Sequence, residues 1–211
     1  MINVEYISYI YPSADAPVID AFSASFRRGE IVAITGKNGC GKTTLTKLLV
    51  GILRPTSGLV SIDGVNMINM DLFEIGQRIG YVFQNPNRQL FCDTAFNEVA
   101  FGLRNMGFDE MHTEEKAAFY LDYFALSSYR EAYPGKLSHG EKQRLALAAV
   151  LALGTNYLVL DEPTTGLDHR RQCELGEMQS ELRQELKCGI VLVSHEVDFI
   201  ARYADRELVM L

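Results

Sequence analysis

Two stretches of this chain carry the residue types that phosphate chemistry needs. "GKNGCGKT", residues 36–43, has the spacing G-x-x-x-x-G-K-[ST] and stands between an apolar run, "EIVAIT", and a helix-like segment. Glycines at 36, 39 and 41 let the backbone wrap closely. The amides from Gly36 through Lys37, Asn38, Gly39, Cys40 and Gly41 to Lys42, Thr43 and Thr44 can then point at phosphate oxygens, reinforced by the start of the helix. Lys42 would reach β- and γ-phosphates, and the Thr43 hydroxyl would ligate Mg²⁺. Cys40 takes a free position in the loop and reads as a small filler, with an oxidisable brake on the site as the lesser alternative. Such a loop, between strand and helix, predicts a nucleoside triphosphate site.

The second stretch is "YLVLDEP", residues 157–163. An apolar strand pushes Asp161 and Glu162 out at its carboxyl end, where open α/β sheets bind ligands. Asp161 can hold Mg²⁺ through its water shell, and Glu162 can polarise an attacking water. Alone, the pair would be read as acidic residues ending a strand. Beside the glycine loop it is read as the other half of a phosphate site.

The remaining segments supply the scaffold. "INVEYISYIY" and "VIDAFSASF" are rich in β-branched and aromatic residues, "SGLVSIDG" is a turn-bounded strand, and "RIGYVFQ" is another. The helix after the glycine loop is expected over "KTTLTKLLVGIL". From about residue 85 the spacing turns helical through "TAFNEVAFGLRNM", "EEKAAFYLDYFAL" and "GEKQRLALAAVLAL". A helix through "HRRQCELGEMQSELRQEL", the strand "GIVLVSH", a short helix and "RELVML" close the chain. Strand–helix alternation with nearly continuous apolar strands predicts a parallel sheet covered on both faces, with the helical block inserted into an α/β core.

Composition narrows the class. The 211 residues are 47% hydrophobic with net charge −7, which argues against a nucleic-acid backbone as main partner. Cys40, Cys92, Cys173 and Cys188 show no CxxC pair and no metal-ligand spacing, so reduced thiols inside a cell are expected. The amino terminus lacks a basic start and a cleavage site, and no apolar run approaches the length of a bilayer crossing.

In combination the motifs resemble the ATP-binding cassette (ABC) ATPases over nearly the whole chain. "GKNGCGKTT" is similar to Walker A, "YVFQNP" with Gln84 to the Q-loop, and "LSHGEKQR" to the signature motif. "YLVLDEP" is similar to Walker B, "TTGLD" with Asp168 to the D-loop, and "VSH" with His195 to the switch histidine. The resemblance implies a phosphate-loop NTPase: a RecA-like, mostly parallel sheet, an antiparallel β subdomain and an inserted helical subdomain. Residues 1–84 and 154–211 would form the first two and 85–153 the third. It further implies ATP and Mg²⁺ as ligands, with the metal held by Thr43, Gln84 and Asp161. Glu162, His195, Gln84 and Lys42 would be catalytic, and Tyr11 would stack on adenine.

"KLSHGEKQR", 136–144, bears on partners. Ser138 and Glu141 make S-x-x-E, a capping box for the helix that follows. In the ABC family that helix start faces the γ-phosphate held by the opposite subunit, so Ser138, Gly140 and Glu141 would complete a site in a second, identical or different, ATPase subunit. The family usually writes LSGGQ; His139 and Glu141 depart from it, and a carboxylate beside a triphosphate is repulsive unless it folds back onto the helix cap. A weakened or asymmetric signature is expected.

"QNPNRQLF", 84–91, resembles the energy-coupling-factor importers, in which a membrane subunit's coupling helix docks beside the Q-loop. Leu90 and Phe91 would be the apolar floor of that docking site, or else ordinary core. That resemblance would place the chain at the cytoplasmic face of the membrane, with uptake of a vitamin or metal ion as its expected work. These ATPases commonly continue past the point where "RELVML" ends, so an excised domain or a short variant is expected. Two other classes stay open: a cassette ATPase acting on nucleic acid or ribosome, and a phosphate-loop kinase. "LSHGEKQR" and "TTGLD" speak against the kinase.

Overall fold

A computed structural model describes residues 1–210. In chain order the elements are β1 (Ile2–Tyr9), β2 (Ile19–Phe26), β3 (Ile31–Gly36), α1 (Lys42–Leu49), β4 (Ser57–Ile62), β5 (Val65–Asn66), α2 (Leu72–Gly76) and β6 (Ile79–Val82). There follow α3 (Ala95–Asn105), α4 (Glu110–Tyr123), α5 (His139–Leu151), β7 (Tyr157–Asp161), α6 (His169–Glu185), β8 (Gly189–Val193), α7 (Val197–Tyr203) and β9 (Arg206–Met210). The described residues form two compact units, 1–81 with 156–210 and 82–155.

The first unit holds two sheets. One has the order β2-β1-β4-β5 and is antiparallel; the other has the order β6-β7-β8-β3-β9, with β7, β8, β3 and β9 parallel. Every residue of β7 and β8 is buried, as continuous apolar runs require of central parallel strands. β9 is different: its residues alternate between exposed and half-buried until Met210, because it is an edge strand. β1 is bulged where a plain strand was expected. Tyr6 and Ala21 both take positive φ, and the register slips on either side. Gly58 lies under the Tyr6 carbonyl, where any Cβ would collide.

α1 stops at Leu49, short of the "VGIL" expected to continue it. Gly51, at φ 73, turns the chain away in a left-handed conformation open to glycine. The core of this unit joins Ile34 of β3, Leu45 and Leu48 of α1, Val159 of β7 and Val191 of β8.

The second unit is the helical block. α3 packs on α4 and on α5. α5 buries Leu145, Ala146, Leu147, Ala148, Val150 and Leu151, nearly all its circumference, while its start stays at the surface. Among the described residues no helix is long and apolar enough to cross a membrane.

Candidate active site

The glycine loop leads from β3 into α1 as its spacing predicts. Gly41 is the N-cap of α1 with φ 99, and no side chain caps the helix. Only glycine suits that position, since a Cβ would sit 2.9 Å from both the Val18 carbonyl oxygen and Ile19 Cδ1. The first turn of α1 therefore offers its backbone amides without a capping oxygen from its own chain. They line an open cleft of about 430 Å³ formed by Asn38, Gly39, Gly41, Lys42, Thr43 and Thr44, together with Val18 and Glu162. Lys42 is buried, and its Nζ donates to the carbonyls of Gly36 and Lys37, each at 2.9 Å, so the ammonium lies over the loop. Cys40 Sγ packs against Gly36, a filler's place.

Asp161 ends β7 and is buried. Its Oδ1 accepts from the Thr43 hydroxyl at 3.5 Å and its Oδ2 from the Tyr81 hydroxyl at 3.1 Å. Burial pushes this carboxyl above its ordinary pKa, and the two hydroxyls oppose the shift. Glu162, one residue on, has φ 49, a left-handed conformation uncommon outside glycine and held here by its N–H donating to the Val193 carbonyl at 3.0 Å. The turn directs consecutive carboxylates to different partners. Glu162 Oε1 lies 3.4 Å from His195 Nε2, and Oε2 accepts from the Thr165 hydroxyl at 3.2 Å. His195 follows β8, just after Ser194, whose buried hydroxyl pairs with that of Thr164 at 3.0 Å.

Tyr11 is half-buried, its hydroxyl 3.1 Å from Thr44 Oγ1 and its ring edge-on to Tyr9, so it stands beside the phosphate loop. Asp168 is the N-cap of α6, its Oδ1 accepting from the Arg171 amide. Thus the first unit gathers the loop, Thr43, Asp161, Glu162 and His195. Gln84, Ser138, Gly140 and Glu141 belong to the second unit.

In that unit the capping box at α5 is complete. The Ser138 amide donates to Glu141 Oε2 at 2.7 Å, and the Glu141 amide to Ser138 Oγ at 3.4 Å. The carboxylate is folded back onto the cap, the condition for it to tolerate a nearby phosphate. The Tyr129 hydroxyl, then Ser138, hold the Glu141 carboxyl below the usual carboxylate range. A Cβ at Gly140 would meet nothing within 4 Å, so its own fold does not require glycine there. Gln84 is exposed. Phe91 is 66% exposed and edge-on to Phe101, itself exposed, so it is not core; Leu90 is half-buried. Buried Glu98 on α3 fixes this loop, its Oε2 accepting from the amides of Phe91 and Cys92.

Tyr81, Thr165, Tyr129 and Glu98 escaped the sequence reading. An aromatic on a strand reads as packing, and a glutamate inside a helix reads as a surface charge.

Strand, glycine loop, helix and the carboxylate-bearing strand end define a phosphate-loop NTPase domain. Comparison with known proteins places it further. Residues 19–165 match the model of the family described as ABC transporter. The energy-coupling factor transporter ATP-binding protein EcfA of Methanothermobacter thermautotrophicus is 41% identical over 212 residues, covering 100% of this chain and 68% of that protein. The structure of cbiO1 from Clostridium perfringens, part of the ABC transporter complex cbiONQ, superposes with TM-score 0.91 at 32% identity, over 99% of this chain and 84% of that one. A dimeric ATP-binding cassette in a post-hydrolysis state, bound to ADP and Pi, superposes with TM-score 0.86 at 25% identity, over 100% of this chain and 94% of that one. The chain belongs to the ABC transporter family and carries its ATPase domain. It spans 36% of the length of some relatives, such as one from Vibrio vulnificus at 37% identity.

Proposed function

We propose that the chain is the ATP-hydrolysing subunit of an importer of energy-coupling-factor type, working in a pair of ATPase subunits beneath separate membrane subunits. The observation that carries the hydrolytic role is the Glu162 carboxylate, which lines the phosphate-loop cleft with His195 Nε2 3.4 Å away. Glu162 accepts a proton from the attacking water, and His195 holds that water and the phosphate in line. The uncapped amides of the loop and Lys42 bind the β- and γ-phosphates, and Tyr11 flanks the base. The catalytic gain is positioning and charge stabilisation, with no covalent intermediate.

The Thr43 hydroxyl and the Asp161 carboxylate are hard oxygen donors converging within 3.5 Å, a set that suits Mg²⁺. They would hold the ion, and the Q-loop resemblance implies Gln84 as a further holder. Bound there, Mg²⁺ neutralises charge on the phosphate oxygens.

The importer reading is supported by the likeness to EcfA and cbiO1 and by the exposed Phe91, seven residues after Gln84. In it, Phe91 and Leu90 receive a helix of a membrane subunit at the cytoplasmic face, and Ser138 and Gly140 clasp the ATP of the other ATPase subunit, with the Asp168 loop at the same interface. The cargo is a vitamin or a metal ion. The test is Glu162→Gln in the complex purified from membranes. Phosphate release should fall at least about a hundredfold while ATP stays bound. Release at the parent rate would remove Glu162 as the base.

A further inference from the structure

Tyr81 lies in β6, and its hydroxyl closes a ring of polar contacts under the phosphate loop. Its OH is 3.1 Å from Asp161 Oδ2 and 3.4 Å from Thr46 Oγ1. Thr46 donates to the Thr43 carbonyl at 2.9 Å, and the Thr43 hydroxyl donates to Asp161 Oδ1 at 3.5 Å. Thr46 is fully buried and Asp161 nearly so, so these contacts exchange little with solvent. Donor counting orders these contacts. The Tyr81 proton goes to Asp161 and the Thr46 proton to the Thr43 carbonyl, which leaves the 3.4 Å Tyr81–Thr46 approach a contact without a proton of its own. An ionised carboxylate only accepts, so Asp161 takes the tyrosine proton on one oxygen and the Thr43 proton on the other. The two grips differ in length. Oδ2 is held more closely by Tyr81 than Oδ1 is by Thr43, so Oδ1 can change partner while the carboxylate keeps its orientation.

We propose that Tyr81 is a positioning residue of the metal–nucleotide site: by holding Asp161 Oδ2 it keeps Oδ1 facing the Thr43 hydroxyl, and so sets how tightly a divalent cation is held beside bound nucleotide. The proposal rests on Thr43 and Asp161 being holders of that cation. A carboxylate fixed through its distal oxygen is the common means by which an outer partner tunes a metal site, and loss of such a partner typically weakens metal binding about 10- to 100-fold. The competing role for Tyr81 is packing, since its half-buried ring lies against the core of the first unit. Tyr81→Phe separates the two roles because it removes the hydroxyl and leaves the ring.

The experiment uses Mn²⁺ as the probe, titrated into the purified chain saturated with ADP and followed by the electron paramagnetic resonance of free Mn²⁺. Tyr81→Phe should bind Mn²⁺ about tenfold more weakly, with ADP affinity in EDTA unchanged and the melting temperature lowered by no more than the few degrees that one lost buried hydrogen bond costs. Asp161→Asn is measured alongside. If it loses Mn²⁺ while Tyr81→Phe matches the parent, the positioning role is overturned and the cation's holders stand. If both variants match the parent, the assignment of Asp161 fails and the proposal with it. If Tyr81→Phe weakens ADP binding in EDTA as much as in Mn²⁺, the hydroxyl supports the loop rather than the metal, and the proposal is also overturned.

Discussion

Two helix starts in this chain are built in opposite ways. α1 begins at Gly41, in a left-handed conformation and with no side-chain cap. α5 begins at Ser138, closed by a reciprocal box in which Glu141 takes the Ser138 amide. Both have the partial positive charge of a helix N-terminus. In the first unit that charge is left for a ligand to satisfy, and the chain gives up a good cap to do so. In the second unit carboxylates of the chain itself satisfy the loop amides: Glu141 at Ser138, and Glu98 at Phe91 and Cys92. The difference separates a helix start whose amides line an open cleft from one that closes on itself; under the proposed shared site, the second meets an anion only when another subunit brings one.

Disturbing α1 should have the larger effect. Gly41→Ala forces a Cβ to 2.9 Å from a backbone oxygen at φ 99, strain of about 1–3 kcal/mol, which is about 5- to 150-fold in nucleotide affinity if the loop yields. Fluorescent-nucleotide titration measures it, and affinity equal to the parent's would show that the loop geometry is not what binds. Ser138→Ala should cost about 1 kcal/mol of stability through the lost cap, seen as a fall of about 2–4 °C in melting temperature. The phosphate loop's own nucleotide affinity should not move. The smallest effect is a pH dependence. Because the Glu141 carboxyl is held below the ordinary carboxylate range, its stabilisation is complete above the unfolded value of about 4.3 and is lost as pH falls through the depressed one. Melting curves of the parent and Glu141→Gln should therefore differ near neutrality and converge in acid. A constant offset would mean the carboxylate is not the stabilising form.

What was legible in the sequence is what is local. The glycine loop, the strand before it, the S-x-x-E box and the acidic strand end each lie within a few consecutive residues, and each formed where its spacing put it. The box even let the Glu141 fold-back be stated as the condition for a working signature, and the structure shows that fold-back. The partners of those groups were not legible. Tyr81 reaches Asp161 across 80 residues, and Glu98 caps a loop that lies before its own helix. Nothing in either residue's neighbours in sequence marks the contact. Phe91 was left between core and docking floor because hydrophobicity does not report exposure; burial resolves it as exposed. The early end of α1 turned on Gly51, whose left-handed φ a helical pattern does not reveal.

The claim that the α5 start serves another subunit's nucleotide is tested most directly at Gly140. A side chain there meets nothing in its own chain, and an acidic residue in a first helical turn is favourable to the helix. In the Glu162→Gln background, ATP-driven pairing with a second copy, or with the ATPase subunit that purifies with it, is read by sedimentation velocity. Gly140→Asp should abolish that pairing with melting temperature unchanged or raised. Pairing at the same ATP concentration as without Gly140→Asp would contradict the shared site.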